Sequence, residues 1–211
     1  MPESLDAVVF DIGNVLIHWD PRLLYRKIFT RVDMTADEGM VDWFLATVCT
    51  TEWNIEQDRG RSIAEAEAEA IGRHPDYAPQ IRAFYGRFQE MIPGEIPDTV
   101  AALRQAKAAG LPLHGLTNFG RETFPQTAAR FDFLRSFDTV VVSGDEGVIK
   151  PDPAIFHILI ERAGLDPQRT AFIDDSAANI RSAAELGFAT HHFADPGAFT
   201  AWWKAAGLPV G

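Results

Sequence analysis

The sequence has only one cysteine, Cys49, among its 211 residues, so no disulfide can form within the chain. A lone cysteine in an apolar stretch is most often a small buried side chain, and that is the expectation for Cys49. The N-terminus lacks a basic, signal-like region, and no apolar run approaches the roughly 20 residues that span a bilayer. We therefore expect a cytoplasmic protein without a membrane partner.

Basic residues are also scarce. The 19 lysines and arginines stand against 30 aspartates and glutamates, which gives a formal net charge of −11. A surface of that sign repels nucleic acid and anionic lipid, so neither is expected as a partner. An anionic substrate would need local positive charge from a metal ion, a lysine or a helix N-terminus.

Five short apolar runs, several rich in β-branched residues, predict β-strands over residues 7–10, 111–116, 139–142, 171–173 and 189–193. Helical patterns that each stop at a glycine lie between the later strands, over residues 97–109, 153–163 and 177–186. This alternation predicts an α/β fold with a doubly wound, Rossmann-like parallel sheet. In such sheets the ligand binds at the C-terminal ends of the strands.

The stretch between the first two predicted strands is far too long for one crossover connection. Its helical patterns cover residues 22–29, 36–48, 62–71 and 81–91. We therefore predict that residues 1–18 and 93–211 form the α/β core domain and residues 19–92 an inserted, all-helical cap domain.

Two regions outside these patterns carry further expectations. Residues 51–60 are expected to be turn-rich, and Trp53, Asp58 and Arg59 within them are candidates to face the nucleophile and select the substrate. The preferred interpretation packs Trp53 inside the cap and places the charged Asp58 and Arg59 in solvent. The tail, with Trp202 and Trp203, is predicted to be a short helix packed on the body or on a second subunit. The protein is accordingly expected to be a monomer or a homodimer.

Polar side chains follow four of the predicted strands; they are Asp11, then Thr117 and Asn118, then Lys150, then Asp174, Asp175 and Asn179. Each also has an ordinary structural interpretation. Asp11 could simply end its strand, Thr117 and Asn118 could cap the next helix, and Lys150 could be an exposed lysine in a loop. Two adjacent carboxylates at a buried strand end are costly, however, unless a cation neutralises them. Carboxylates from the first and fourth strands would together suit a hard divalent cation such as Mg²⁺.

The order of Asp11, Thr117, Lys150 and the Asp174–Asp175 pair resembles motifs I to IV of the haloacid dehalogenase (HAD) superfamily. The stretch over residues 143–156 is similar to that superfamily's most recognisable segment, and the helical insert looks like the type I cap of subfamily IA. Residues 10–15, taken with the Asp-Asp-Ser form of motif IV, are most similar to the branch that includes α-D-glucose-1-phosphate phosphatase.

The resemblance implies that Asp11 attacks phosphorus and forms an aspartyl phosphate. Mg²⁺ would be held by Asp11, the carbonyl of Gly13 and Asp175. Asp174 would lie just behind the metal, and Asn179 would hold a metal-bound water. The side chains that bind the phosphoryl group, and supply the electrostatic stabilisation that dominates such reactions, would be Thr117, Asn118 and Lys150.

One position departs from the family pattern. Many phosphatases of the family carry a second aspartate, a general acid and base, where this chain has Gly13. Three explanations are open. His18 or Asp20 acts in its place, the substrate has a good leaving group such as an anomeric phosphate, or the reaction is not phosphate hydrolysis.

The favoured function is that of a Mg²⁺-dependent phosphatase acting on a small phosphorylated metabolite, with sugar phosphates as candidates. A 2-haloacid dehalogenase would use the same aspartate on carbon without a metal, but the acidic pair argues against it. A signalling receiver domain carries its acidic pair first in the chain. A catalytically silent binding protein with this fold is the remaining alternative, since fold does not fix function.

Overall fold

The computed structural model describes residues 5–209 and contains a five-stranded parallel sheet in the order β3-β2-β1-β4-β5. The strands are β1 (Ala7–Phe10), β2 (Leu113–Thr117), β3 (Thr139–Val142), β4 (Thr170–Asp174) and β5 (Ala189–His192). β1 lies at the centre, and its last residue, Phe10, pairs with Gly115 of β2 and Ile173 of β4. The predicted α/β fold is confirmed, and the chain segments leaving β1, β2 and β4 emerge at one edge of the sheet.

The helices that accompany the sheet are α6 (Pro97–Ala108), α7 (Phe124–Arg130), α8 (Ser143–Glu146), α9 (Pro153–Ala163), α10 (Ala177–Glu185) and α11 (Pro196–Ala205). Short 3₁₀ turns lie at Asp132–Ser136 and Pro167–Arg169. The glycine predicted to end α9 does so, because Gly164 adopts the left-handed conformation (φ 64°) that a side chain would strain.

Between β1 and β2 the chain forms the helices α1 (Arg22–Ile28), α2 (Glu38–Thr47), α3 (Thr51–Asp58), α4 (Ile63–Arg73) and α5 (Ala78–Gly86), with 3₁₀ turns at Pro75–Tyr77 and Phe88–Met91. We call residues 19–92 the cap. The segments that enter and leave it run side by side, since His18 N–H donates to Gly94 O (3.0 Å) and Asp20 N–H to Met91 O (2.9 Å).

The prediction of a turn-rich segment at residues 51–60 is wrong, because α3 occupies most of it. Thr50 caps the helix, its hydroxyl accepting from Trp53 N–H at 3.1 Å. Trp53 and Gln57, one turn apart, form its buried face. Half of that face is polar, so the apolar periodicity that normally reveals a helix is weak here.

The tail packs on the body of its own chain. Trp203 is 2% exposed, stacks on Phe10 with ring centroids 5.9 Å apart, and donates from Nε1 to Pro209 O (2.7 Å). Trp202 is half-buried and stacks on His191 (4.8 Å).

The buried position expected for Cys49 is confirmed. Within residues 5–209, no helix is long and apolar enough to cross a membrane.

Candidate active site

A cavity of about 400 Å³ opens where β1, β2 and β4 end. The sheet contributes its floor, which includes Asp11, Lys150 and Asp175. The opposite wall comes from the cap, chiefly from α3, with Asn54 and Asp58 among its lining residues. The cavity therefore lies between the two parts of the chain, at the point where the strand order reverses and α/β sheets bind ligands.

Asp11 is held firmly at the end of β1. Its backbone N–H donates to Ile173 O (2.9 Å), and its Oδ1 accepts from Ile12 N–H (2.7 Å). The side chain of Lys150 lies 3.0 Å from the same oxygen. Burial raises the pKa of Asp11 to about 7, and the attraction of Lys150 offsets only part of that effect.

Lys150 is a buried cation between two carboxylates. Its Nζ donates to Asp174 Oδ2 (2.6 Å) and to Leu116 O (2.8 Å) and is 3.0 Å from Asp11. Burial lowers the pKa of Lys150, but Asp11 and Asp174 together outweigh burial and hold it above its usual value. Lys150 therefore stays charged and fixes both carboxylates.

Asn118 acts on the backbone of Lys150 in this structure. Its Oδ1 accepts from Lys150 N–H (2.8 Å) and its Nδ2 donates to Lys150 O (3.0 Å). Both polar atoms of the amide are thus engaged, although the residue also lines the cavity. This arrangement favours a positioning role over the direct substrate contact predicted for Asn118.

Asp174 and Asp175 differ in their surroundings. Both oxygens of Asp174 are engaged, Oδ2 by Lys150 and Oδ1 by Ser176 N–H (2.8 Å) and Asn179 Nδ2 (2.9 Å). Asp175 is exposed to the cavity, and burial, followed by the charge of Asp174, raises its pKa. The geometry suits the predicted division, in which Asp175 contacts a metal and Asp174 lies behind it. Asn179, predicted to hold a metal-bound water, donates to Asp174 and also lines the cavity.

The carboxylates of Asp11, Asp174 and Asp175 each offer an oxygen within 4.8 Å of the others. Three carboxylates around the single cation of Lys150 leave net negative charge in a partly buried site, which is costly without a further cation. Oxygen ligands of this kind fit Mg²⁺. Asp11, Asp175 and the carbonyl of Gly13, which lines the same cavity, are the groups that would hold it.

Three further residues predicted for the site do not line the cavity. Thr117 is buried at the end of β2 and does not line the cavity. His18 is exposed, and the carboxylate of Asp20 accepts from Arg22 N–H (2.8 Å); neither lines the cavity. The structure thus brings together the carboxylates and the lysine but not the two residues suggested as acid and base.

In the cap, the structure agrees with some of the positions predicted for residues 51–60 and differs from others. Trp53 is buried and donates from its indole N–H to Ala66 O (3.1 Å), which confirms its packing role. Arg59 is exposed, as expected. Asp58 was expected in solvent, but it lines the cavity. The available signal was helical spacing, since Asn54 and Asp58 are one turn apart and share a face of α3.

The chain matches the sequence profile of the haloacid dehalogenase-like hydrolases over residues 5–187. It belongs to that family. The family resemblance predicted from the four strand-end motifs is therefore confirmed, and the relatives that the chain resembles include a sesquiterpene phosphatase and (S)-2-haloacid dehalogenases.

Three curated relatives differ in how much of their own length matches this chain. Mouse acyl-CoA dehydrogenase family member 10 is 30% identical over 89% of this chain and 18% of its own length. The sesquiterpene phosphatase astK of Aspergillus oryzae is 23% identical over 92% of this chain and 93% of its own. An (S)-2-haloacid dehalogenase of Pseudomonas putida is 30% identical over 43% of this chain and 40% of its own length. The chain spans less than half the length of the first curated relatives that it matches.

A solved structure is similar over nearly the whole chain. A HAD family enzyme of Bacteroides thetaiotaomicron, crystallised as a magnesium complex, aligns with a TM-score of 0.68 at 20% identity. The alignment covers 90% of this chain and 93% of that one. At this identity the likeness establishes the fold alone.

The raised pKa of Asp58 predicts a pH-dependent effect on stability. Burial, followed by the charge of Asp11, raises that pKa from 3.8 to about 7. The folded protein therefore binds a proton more tightly than the unfolded chain, and the stability this contributes is lost as the pH rises from about 4 through 7. In metal-free protein at pH 8, we expect Asp58→Asn to be more stable than wild type by about 2–3 kcal/mol, a value reduced because the cavity admits water.

Thermal unfolding of both proteins at several pH values checks this prediction. The variant should melt roughly 4–10 °C above wild type at pH 8, and the two should converge below about pH 4, where the aspartate becomes protonated in the unfolded chain as well. A difference that is constant across the pH range would contradict it.

Proposed function

We propose that this protein is a Mg²⁺-dependent phosphatase that hydrolyses a small phosphate ester through an aspartyl-phosphate intermediate. The observation that carries the proposal is the convergence of Asp11, Asp174 and Asp175 around the buried cation of Lys150. A site with that excess of carboxylate charge suits a metal ion, and the bound metal together with Lys150 would supply the positive charge that an anionic phosphate ester needs.

Each residue at the floor of the site has a separate role in the proposed phosphoryl transfer. Asp11, fixed by Ile12 N–H and Lys150, presents its outer oxygen to phosphorus and becomes the phosphorylated group. Lys150 balances charge on the nucleophile before transfer and on the phosphoryl oxygens during it. Bound Mg²⁺ would supply further charge neutralisation for the transferring group. Asp174 and Asn118 position Lys150.

Dehalogenation is the second candidate, because (S)-2-haloacid dehalogenases are among the matching relatives. The same Asp11 would then attack carbon. The Asp174–Asp175 pair is unfavourable for that chemistry, since an unneutralised pair beside the nucleophile repels the carboxylate of a haloacid. We therefore place phosphate-ester hydrolysis first.

The cavity supports a small substrate. About 400 Å³ is near the low end of the size that small-molecule sites occupy. Within the family we assign the chain to subfamily IA, with residues 19–92 as a type I cap, and sugar phosphates are the first substrates to screen. Cytoplasmic location, a monomeric or homodimeric state, and the lack of nucleic-acid or membrane partners stay predictions.

Metal removal tests the proposal. Purified protein stripped with EDTA should show no measurable hydrolysis of p-nitrophenyl phosphate, and added Mg²⁺ should restore turnover while Na⁺ at equal ionic strength should not. Turnover that is the same with EDTA would remove the metal from the mechanism. If no phosphate ester is hydrolysed, release of halide from 2-chloropropionate would move the assignment to dehalogenase.

A further inference from the structure

Gly13 leaves the floor of the site without a proton donor on the leaving group. A Cβ built on Gly13 would meet no atom within 4 Å, so the space where the missing side chain would begin is open. His18 and Asp20 do not line the cavity. If the protein is a phosphatase as proposed above, a poor leaving group must receive its proton from elsewhere, because general acid catalysis contributes about 10²–10⁴ in rate.

In-line displacement indicates where that donor must lie. The attacking and leaving oxygens are on opposite sides of phosphorus, so a substrate attacked by Asp11 from the sheet directs its leaving oxygen toward the cap. Asp58 is the carboxylic acid on the cap wall of the cavity. Its position at the last residue of α3 also brings the negative end of that helix dipole to it, which favours the protonated form.

A short hydrogen-bonded chain orients Asp58. The hydroxyl of Tyr85 donates to Asn54 Oδ1 (3.0 Å), which leaves the amide Nδ2 of Asn54 to donate to Asp58 Oδ2 (3.3 Å). Both Tyr85 and Asn54 line the cavity beside Asp58. Because Asp58 Oδ2 accepts from Asn54, a proton on this carboxyl group belongs on Oδ1.

Asp58 also lacks the partner that would keep it ionised. Among residues 5–209 it forms no ion pair, and its one side-chain hydrogen bond comes from the neutral Asn54. The other titratable side chains lining the cavity are Asp11, Lys150, Asp175 and Tyr85. Burial and the charge of Asp11 raise the pKa of Asp58 to about 7, so that it exchanges a proton near neutral pH.

We propose that Asp58, projecting from the cap, is the catalytic general acid and base that this chain uses in place of the aspartate missing at Gly13. In the first step the bond from Asp11 to phosphorus forms and the bond from phosphorus to the leaving oxygen breaks, and the Asp58 proton passes to that oxygen to release an alcohol. In the second step water attacks the aspartyl phosphate, its proton returns to the Asp58 carboxylate, and inorganic phosphate leaves with Asp11 regenerated.

The two steps give Asp58→Asn a distinctive kinetic signature in the Mg²⁺-loaded full chain. For phenyl phosphate, whose leaving group needs a proton, we expect kcat/KM to fall about 10²–10⁴-fold. For p-nitrophenyl phosphate, whose leaving group needs none, kcat/KM should fall less than about tenfold. Hydrolysis of the intermediate should still be slow, so nitrophenol should appear as a burst of one equivalent before slow turnover.

Two variants serve as controls. Glu56→Gln removes an exposed carboxylate from the same helix and should leave both substrates unaffected, as should His18→Ala. The Asp58→Asn side chain keeps an oxygen that can accept from Asn54, so the cap should fold normally, which circular dichroism checks.

Equal losses on both substrates without a burst would overturn the general-acid role and indicate that Asp58 only binds or positions substrate. Unchanged kcat/KM on phenyl phosphate would overturn any role in catalysis while leaving the phosphatase assignment intact. A wild type that hydrolyses no phosphate ester would instead overturn the proposed function itself, and this inference with it.

Discussion

Replacing Asp11 with asparagine is expected to abolish phosphate-ester hydrolysis, with a fall in kcat on the order of 10⁴–10⁶, the loss seen when an enzyme loses its covalent nucleophile. The amide cannot attack phosphorus, although it keeps the size of the carboxylate and can still accept from Ile12 N–H. The same substitution is not expected to destabilise the fold. Burial raises the pKa of Asp11 to about 7, so the ionised group opposes folding at pH 8, and its removal should not lower the melting temperature of metal-free protein.

The measurement pairs steady-state kinetics with thermal unfolding in EDTA and in Mg²⁺. Wild type should gain about 2.7 kcal/mol at a Mg²⁺ concentration 100 times the dissociation constant, and Asp11→Asn should gain much less because one ligand is weakened. Asp132→Asn changes a carboxylate that is 85% exposed and should match wild type in every assay. More than about a tenth of wild-type turnover in Asp11→Asn would exclude covalent catalysis by this residue.

Much of the fold could be predicted because buried parallel strands are continuous apolar runs. The prediction for residues 139–142 matches β3 from Thr139 to Val142, and helix α9 ends at its glycine as expected. The first predicted strand after the cap began two residues early, at Leu111, because apolar character alone does not mark where pairing starts; Pro112 precedes the strand and cannot donate to a ladder.

The floor of the site was predictable for a related reason. The ends of parallel strands converge at one edge of a sheet, so Asp11, which follows β1, and Asp174, which ends β4, come together whatever the details of packing. Lys150 reaches them from the loop that follows α8, and its contacts with both carboxylates depend on tertiary packing. Thr117 shows the limit of that reasoning, since it ends a strand but is buried and does not line the cavity.

The cap wall was not predictable in this way. Helical spacing places Asn54 and Asp58 on one face of α3, but whether that face points at Asp11 depends on how the cap sits over the sheet, which local periodicity does not reveal. Gly60 shows the closeness of the contact, since a Cβ there would lie 2.9 Å from Gly144 O of the core. The role inferred for Asp58 therefore emerges only from tertiary structure.

Lys150→Met should be the most damaging single change to the folded protein. The methionine fills a similar volume but leaves Asp11 and Asp174 facing each other in a buried site without their cation. Removing one partner of a buried ion pair costs about 3–5 kcal/mol, which for a chain of this size lowers the melting temperature by roughly 6–20 °C. Turnover should fall at least about 10²–10³-fold, because a charge that stabilises the transferring phosphoryl group is lost.

The pH dependence separates this electrostatic cost from simple loss of packing. The attraction of Lys150 lowers the pKa of Asp11, so without it that pKa rises further above its unfolded value, and stability is progressively lost as the pH increases through neutrality. The deficit of Lys150→Met relative to wild type in metal-free protein should therefore shrink from pH 8 to pH 5. Lys107→Met removes a lysine that pairs with Asp138 at the surface, with both side chains more than 40% exposed; it should cost less than about 1 kcal/mol. A deficit for Lys150→Met that is the same at both pH values would indicate that the lysine stabilises the fold through its aliphatic stem, and its proposed charge-balancing role at Asp11 would then fail.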